Sequence, residues 1–249
     1  MKLAKVARFG AVAMVAATMI SITTGCCGAA TCKQKEKTMF VKPDNAAFYT
    51  ADGTLDTAKA KQTYFEMMET LGAPVYDVYR PDDGFLWTVD FGQKNFASFG
   101  MGGVFWVNDG AKGYFAHEIF LLPGQSIAEH RHFPTKDANG NSVQAKYESW
   151  QVRYGSVYAF CEATKDLPAN LDDYPEIKAQ IYKTQLDHLK CAHVEKWEPD
   201  GKLHHLLEIP GCEPTWHFMM GGPEGAVVSE YATFHDNDGL RFSCPGAAL

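Results

Sequence analysis

The sequence lacks the features that mark several large classes of protein. Its 249 residues carry a net charge of −7, without the basic excess that binds nucleic acid. None of its seven cysteines has the spacing of a structural zinc site. We find no glycine-rich phosphate loop, no Ser/His/Asp order and no internal repeat. These absences argue against a nucleic-acid-binding protein, a zinc-finger protein, a P-loop enzyme and a serine hydrolase.

The sequence also lacks a hydrophobic run near its start that is long enough to span a bilayer. Residues 9–22 are apolar, but a spanning helix needs about 20 residues. Basic residues precede this run, and Thr-Thr-Gly-Cys26 follows it, which resembles a bacterial lipoprotein cleavage box. A secretory signal cleaved nearby and a retained anchor helix are the alternatives. We expect an exported lipoprotein, acylated on Cys26 and anchored to a membrane on the periplasmic side or the cell surface.

The remaining chain divides into a short polar stretch and one folded domain. The predicted divisions are a signal peptide at 1–25, a flexible tether at 26–45 and a folded domain at 46–249. Export would permit disulfides among Cys161, Cys191, Cys212 and Cys244, while buried free thiols are the alternative. The sequence does not choose a pairing among these four.

Hydrophobic periodicity predicts mostly β-structure in the folded domain. Residues 57–71 have apolar positions at helical spacing and Gly72 as a stop, so we expect one helix on the outside of a sheet. A second helix is predicted over 176–190. Strands with turn residues between them are predicted at 85–91, 101–107, 114–122, 146–152, 156–161, 203–209 and 226–233. Many short strands indicate a sandwich or a closed barrel.

Two histidines and a glutamate form the most specific motif. His130 and His132 stand two residues apart, so in a strand their side chains point to the same face. Glu148 begins the next predicted strand, which can lie beside them in a hairpin. Two imidazoles and a carboxylate suit a divalent ion such as Mn, Fe, Zn or Ni.

The glycines around this motif extend it. Gly124 precedes His130 with five residues between them, and Glu148 precedes Gly155 with six. This pattern resembles the first motif of the cupin superfamily, with an enlarged hairpin loop of fifteen residues, 133–147, before the glutamate. The resemblance implies an all-β cupin fold, a double-stranded β-helix or jelly-roll barrel, with a few peripheral α-helices.

A second motif supplies the fourth ligand that the cupin resemblance implies. A Pro-Gly turn at 210–211 precedes Trp216 and His217. In cupins, a histidine at the start of this strand binds the same metal. The resemblance therefore implies that His217 completes a ligand set with His130, His132 and Glu148.

More scattered positions resemble the D-lyxose isomerase family of bacterial sugar isomerases. The similarity covers about residues 80–242, and its matching positions are Trp87, Val89, Phe91, Gly92, Asn95, Phe96, Ala97, Asn108, Gly110, Lys146, Glu148, Trp216, His217, Gly225, Glu230, Asp236, Asp238 and Phe242. The resemblance implies a divalent ion, Mn first with Zn or Fe as alternatives, and interconversion of an aldose and a ketose such as lyxose and xylulose or mannose and fructose.

Three further residues are candidates for the chemistry of such a reaction. Glu230 matches a family glutamate near the sugar and is the first candidate for the base. Lys146 should share the inward face with Glu148 and could steady developing negative charge. The family usually has a lysine on the strand before the metal motif, and His117 occupies that position here.

The sequence leaves two other functions open. One is a non-catalytic sugar-binding lipoprotein, because isomerisation of free pentoses is normally intracellular chemistry. The other is an Fe-dependent cupin oxygenase, because the same four ligands serve many cupin reactions. The expected partners are a small sugar and, through the lipid alone, a membrane; a homodimer is one assembly that the sequence allows.

Overall fold

The structure is a computed structural model that describes residues 40–162, 171–191, 193–200, 204–206 and 215–249. The predicted signal peptide, Cys26, most of the predicted tether and Cys212 lie outside these residues. The described end of that tether contacts the domain, because Lys42 Nζ donates hydrogen bonds to the carbonyls of Ala97 at 2.8 Å and Pro123 at 2.5 Å.

Antiparallel β-structure dominates the described chain. The strands are β1 Leu86–Val89, β2 Met101–Asp109, β3 Tyr114–Leu121, β4 His130–His132, β5 Thr135–Lys136, β6 Ser142–Val143, β7 Glu148–Cys161, β8 His193–Trp197, β9 His204–Leu206, β10 His217–Thr233 and β11 Leu240–Phe242. The α-helices are α1 Thr57–Leu71, α2 Pro175–Lys178 and α3 Lys183–Leu186. The prediction of an all-β fold with a few peripheral helices is confirmed.

Strand β10 lies at the centre of a nine-stranded sheet. Its second half pairs with β3 on one edge and β7 on the other, while its first residue, His217, pairs with His130 of β4. Strands β2 and β1 extend the sheet beyond β3, and β11 extends it beyond β4. Strands β8 and β9 both pair with β7. The pairing places His217 of β10 beside His130 of β4. Because β7 and β10 are antiparallel, Glu148 at the start of β7 lies opposite Ala232 near the end of β10.

Strands β7 and β10 are longer than predicted. The strands predicted at 146–152 and 156–161 form continuous β7, and the strand predicted at 226–233 is the second half of β10. Gly155 has a φ of 71° and passes so close to Gly225 that a Cβ would lie 1.9 Å from its carbonyl oxygen. The glycine therefore bends the strand within the sheet, whereas the sequence suggested a break.

Helix α1 has the predicted bounds. The Asp56 side chain accepts a hydrogen bond from Lys59 N at the first turn, and Gly72 ends the helix in the left-handed region. Tyr64, on its buried face, packs with Phe120 of β3, whose side chain points out of the barrel. The helix thus covers the outer face of the sheet, as predicted.

The single helix predicted over 176–190 is wrong. The chain forms α2 and α3 instead, with Tyr182 extended between them at a ψ of 133°. Ile177 and Ile181 are buried in the inner core, and the Tyr182 ring packs on Phe99 at 5.7 Å. Burying all three side chains against the barrel requires the break that helical spacing alone did not reveal.

Side chains alternate between two apolar cores. On β3, His117 and Ile119 point into the barrel, while Phe120 meets α1. Cys161, Cys191 and Cys244 are free thiols and form no disulfide; Cys244 is buried, as that alternative had it, while Cys161 and Cys191 are half-buried. Within the described residues, no helix is long and apolar enough to cross a membrane.

Candidate metal centre and active site

Four potential metal ligands converge at one place in the fold, and three of them are buried. His130 and His132 come from β4, Glu148 begins β7 and His217 begins β10. One donor atom from each lies within 4.8 Å of the donors of the other three. The i, i+2 spacing of the histidines and the His217–His130 strand pair account for the arrangement. The insertion before Glu148, which includes the β5–β6 pair, leaves the glutamate in register with the cluster.

Backbone carbonyls orient two of the imidazoles. His130 Nδ1 donates to the Ala128 carbonyl at 2.8 Å, and His217 Nδ1 donates to the Thr215 carbonyl at 2.9 Å. In neutral imidazoles this leaves both Nε2 atoms as unprotonated donors for a metal.

The remaining donor atoms fit a bound cation. Glu148 Oε1 lies 2.5 Å from His217 Nε2 and 3.6 Å from His132 Nε2. Neither His132 Nε2 nor Glu148 Oε1 has a hydrogen bond of good geometry within the described chain, although both are buried. Buried polar atoms without partners are unfavourable, and a shared cation would satisfy them together. Three imidazoles and one carboxylate suit a divalent transition metal.

Burial and the shared carboxylate set the protonation of the ligands. Burial lowers the pKa of His130 well below 6.5, and it lowers the pKa of His132 to about 3. Burial also acts to lower the pKa of His217, but the Glu148 carboxylate outweighs it and the net shift is upward. Burial acts to raise the pKa of Glu148, yet Lys146 and His217 hold it well below its usual value. A cation would take the place of the His217 proton.

A second group of buried polar side chains adjoins the ligand cluster. Lys146 Nζ donates to Glu148 Oε2 at 3.0 Å and also to Glu230 Oε1. His117 Nδ1 lies 3.4 Å from Glu230 Oε2, and these two residues are register partners on β3 and β10. The structure therefore brings all three predicted catalytic residues to one place, joined to the metal cluster through Lys146. Their roles stay predictions.

The charges of this second group depend on one another. Burial acts to lower the pKa of Lys146, but Glu148 and Glu230 raise it above its ordinary value overall. Burial raises the pKa of Glu230 to about 7, Lys146 opposes this rise and Glu148 adds to it. Burial, together with the Lys146 ammonium, lowers the pKa of His117 well below 6.5. His117 is therefore neutral at pH 7.

Gly103 and Trp87 fix the position of His117. The Trp87 and His117 rings stack 5.4 Å apart with an angle of 18° between their planes. A Cβ at Gly103 would lie 2.3 Å from His117 Nε2 and 2.7 Å from Trp87 Cζ2, so only glycine leaves room for both rings. Sequence reasoning did not predict this close approach of Gly103 to the two rings. Paired glycines inside an otherwise regular strand were the signal that could have indicated a close approach.

One pocket contains most of these groups. Its lining includes His130, Lys146, Glu148, Glu230 and His117, and the rest of it is largely apolar. The other lining residues are Trp87, Phe91, Met101, Phe105, Phe115, Ile119, Ile127, His235, Leu240, Phe242 and Leu249.

Glu129 supports the metal strand and was also missed by sequence reasoning. Its side chain is fully buried, and its two oxygens accept hydrogen bonds from the backbone nitrogens of Lys190 at 2.6 Å and Cys191 at 2.8 Å. The carboxylate thereby ties the segment after α3 to the residue that precedes His130.

Glu118, beside His117, points to the opposite face of the sheet and contacts Trp106 and Ser229.

Named relatives of this chain are sugar isomerases. No protein-family model matches the chain. A D-lyxose/D-mannose isomerase of Thermosediminibacter oceani is 28% identical over 197 residues, which cover 77% of this chain and 94% of that protein. A D-lyxose ketol-isomerase of Cohnella laeviribosi is 29% identical over 145 residues, covering 58% and 68% respectively.

The fold comparison points the same way. The structure of an L-ribose isomerase of Cellulomonas parahominis matches 81% of this chain and 95% of its own, with a TM-score of 0.57 and 12% sequence identity. The predicted resemblance is thereby confirmed: the chain is similar over most of its length to a D-lyxose/D-mannose isomerase, and it has the cupin-type fold of sugar isomerases.

Proposed function

We propose that this protein is a metal-dependent aldose–ketose isomerase of the lyxose/xylulose or mannose/fructose type. The observation that carries the proposal is that hydrogen bonds of Lys146 join a four-ligand cluster to a second buried carboxylate, Glu230. An isomerase of this kind needs a cation to hold the sugar and a separate base to move a proton. The relatives named as D-lyxose isomerases support the same reaction.

We propose Mn²⁺ as the ion held by His130, His132, Glu148 and His217. A mixed nitrogen and oxygen donor set accepts Mn, and it also accepts Zn or Fe. A cation bound there supplies Lewis-acid polarisation of the sugar carbonyl.

Glu230 is the proposed base. Its carboxylate would take the proton from C2 of the aldose and return it to C1, while the hydroxyl proton on O2 passes to O1, so that the reaction through an enediol is balanced. His117 Nδ1, 3.4 Å away, would orient the Glu230 carboxylate. Lys146, which contacts both carboxylates, would steady the negative charge that develops on the sugar oxygens.

Metal analysis followed by a sugar assay tests the proposal. We expect about one Mn, Zn or Fe per chain in the purified protein, and loss of that metal in a His130→Ala, His132→Ala double variant. His188→Ala is the matched control, because His188 is exposed and lies outside the pocket. The metal-loaded protein should convert D-lyxose to D-xylulose. Full metal occupancy without conversion of any aldose would refute isomerisation, and oxygen-dependent turnover with Fe would favour the oxygenase.

We also propose that the protein is exported and anchored through an acyl chain on Cys26. The basic start, the short apolar run and the Thr-Thr-Gly-Cys sequence support this proposal. Cells expressing the protein should incorporate labelled palmitate into it, and Cys26→Ser should abolish the label while Cys27→Ser retains it. Equal labelling of the two variants would contradict a lipid on Cys26.

A further inference from the structure

His235 is the polar residue in a row of aromatic side chains that line the pocket. Its ring stacks on Phe115 at 5.5 Å, Phe115 contacts Phe105 at 5.3 Å and Phe105 contacts Trp87 at 5.2 Å. We call Trp87, Phe105, Phe115 and His235 the aromatic wall. At its His235 end the wall meets the metal cluster, where the rings of His235 and His132 are 5.7 Å apart.

The Asn108 side chain holds the backbone of His235 through two hydrogen bonds. Its N–H donates to Asn108 Oδ1 at 3.0 Å, and its carbonyl accepts from Asn108 Nδ2 at 2.9 Å. These two bonds tie the loop after β10 to β2. The imidazole is therefore positioned by its own backbone as well as by the stack on Phe115.

Hydrogen bonding fixes which nitrogen of His235 carries the proton. Nε2 lies 2.8 Å from Asn237 Oδ1, a carbonyl oxygen that can only accept, so Nε2 is the donor. Nδ1 of the neutral ring is then an acceptor. It is buried and has no hydrogen-bond partner within the described residues. Because the two ring nitrogens point away from each other, and Asn237 is exposed, Nδ1 is directed away from solvent.

We propose that His235 determines substrate specificity by accepting a hydrogen bond, through Nδ1, from a sugar hydroxyl beyond C2. This inference rests on the proposed isomerase function, since it places the sugar between the metal cluster and the aromatic wall. A buried acceptor of fixed direction selects ligands that carry a donor opposite it, because a ligand without that donor leaves the acceptor unpaired. The neighbouring rings of Phe105 and Phe115 offer no competing hydrogen bond and would contact the C–H face of the sugar.

Two variants separate the acceptor from the shape of the ring. His235→Phe keeps an aromatic ring for the stack on Phe115 but removes the acceptor. His235→Asn keeps an acceptor, because its Oδ1 occupies nearly the position of the imidazole Nδ1. Both are to be made in the full chain and loaded with Mn²⁺, with circular dichroism and thermal unfolding recorded for each.

The first measurement is binding of D-arabinitol, the polyol made by reducing D-lyxose, which has no carbonyl to isomerise. Calorimetric titration should show about 10- to 100-fold weaker binding by His235→Phe, and binding by His235→Asn within about threefold of the unmodified protein. The value of kcat/KM for D-lyxose should fall in parallel, mostly through KM, because the contact is made in the ground state as well.

The second measurement uses three derivatives of D-arabinitol, each lacking the hydroxyl that corresponds to position 3, 4 or 5 of D-lyxose. One of them should bind equally to the unmodified protein and to His235→Phe, because it lacks the hydroxyl that pairs with Nδ1. Unchanged binding of D-arabinitol by His235→Phe, or equal weakening of all three derivatives, would overturn the assignment. If His235→Phe does not fold, the unmodified protein still tests it, because three derivatives of equal affinity would overturn it as well.

The outcomes distinguish this inference from the isomerase proposal. Binding of D-arabinitol that depends on His235, without conversion of D-lyxose, would remove the isomerase and keep the specificity residue. Conversion of D-lyxose at the same rate by the His235 variants and the unmodified protein would keep the isomerase proposal and remove His235 as the specificity residue. If neither compound binds the metal-loaded protein, both proposals fail.

Discussion

Replacing Gly103 with alanine tests how His117 is held beside Glu230. The added methyl group would lie 2.3 Å from His117 Nε2 and 2.7 Å from Trp87 Cζ2, both far inside van der Waals contact. His117 is buried and stacks on Trp87, so the methyl group would push both rings away from β2 together. Overpacking a filled interior typically costs about 1–3 kcal/mol, and we expect the free energy of unfolding to fall by that amount.

The same substitution should lower activity more than stability alone explains. Displacing the imidazole by a fraction of an ångström moves the hydrogen-bond partner of the proposed base Glu230. Misplacement on that scale can reduce kcat by about 10- to 100-fold. We expect a fall in kcat within this range at temperatures where Gly103→Ala remains fully folded.

A double-mutant cycle identifies the cause. His117→Ala removes the ring with which the new methyl group would clash, so Gly103→Ala should be less destabilising in that background. Urea unfolding of the two single variants and the double variant should give a coupling energy of about 1 kcal/mol or more. Strict additivity, or a Gly103→Ala protein as stable and active as the unmodified one, would refute the proposed steric role of Gly103.

Three other properties can be measured directly. In metal-free protein, Lys146→Met should lower the free energy of unfolding by about 3–5 kcal/mol, because it leaves two buried carboxylates without their ammonium partner; a loss below 1 kcal/mol would contradict this. Burial raises the pKa of Glu118, so the folded state favours the neutral carboxyl and its contribution to stability declines as pH rises through the raised pKa. Urea titrations at pH 4 and pH 7 should therefore show that Glu118→Gln gains stability relative to the unmodified protein at pH 7. A gain seen at pH 4 alone would contradict a raised pKa of Glu118. Mn²⁺ at 100 times its Kd should stabilise the protein by about 2.7 kcal/mol, and this gain should vanish in His132→Ala and persist in His188→Ala.

Much of the candidate site could be predicted because its residues lie close together in sequence or follow a known pattern. His130 and His132 share a face through the two-residue period of a strand, which no other part of the fold alters. Glu148 and His217 followed from the cupin resemblance, and each is the first residue of its strand. Helix α1 was predictable because its apolar spacing and Gly72 act locally.

The features that could not be predicted depend on contacts distant in sequence. The break at Tyr182 arises because its ring packs on Phe99, a residue far earlier in the chain. Glu129 finds its partners at Lys190 and Cys191 across a similar separation. Whether a residue such as Gly155 bends a strand or ends it depends on which backbone passes beside it, and the sequence does not state that.

His117 stands where the resemblance places a lysine, and the surrounding charges show what this change does. Because His117 is neutral, the positive charge beside Glu230 comes from Lys146 among the described pocket residues. A second ammonium at position 117 would favour the ionised form of Glu230 and lower its pKa. With a neutral imidazole instead, the pKa of Glu230 stays raised at about 7, a value suited to a group that must both accept and return a proton. The departure from the family pattern therefore changes the resting proton balance of Glu230, and it leaves the proposed base in place.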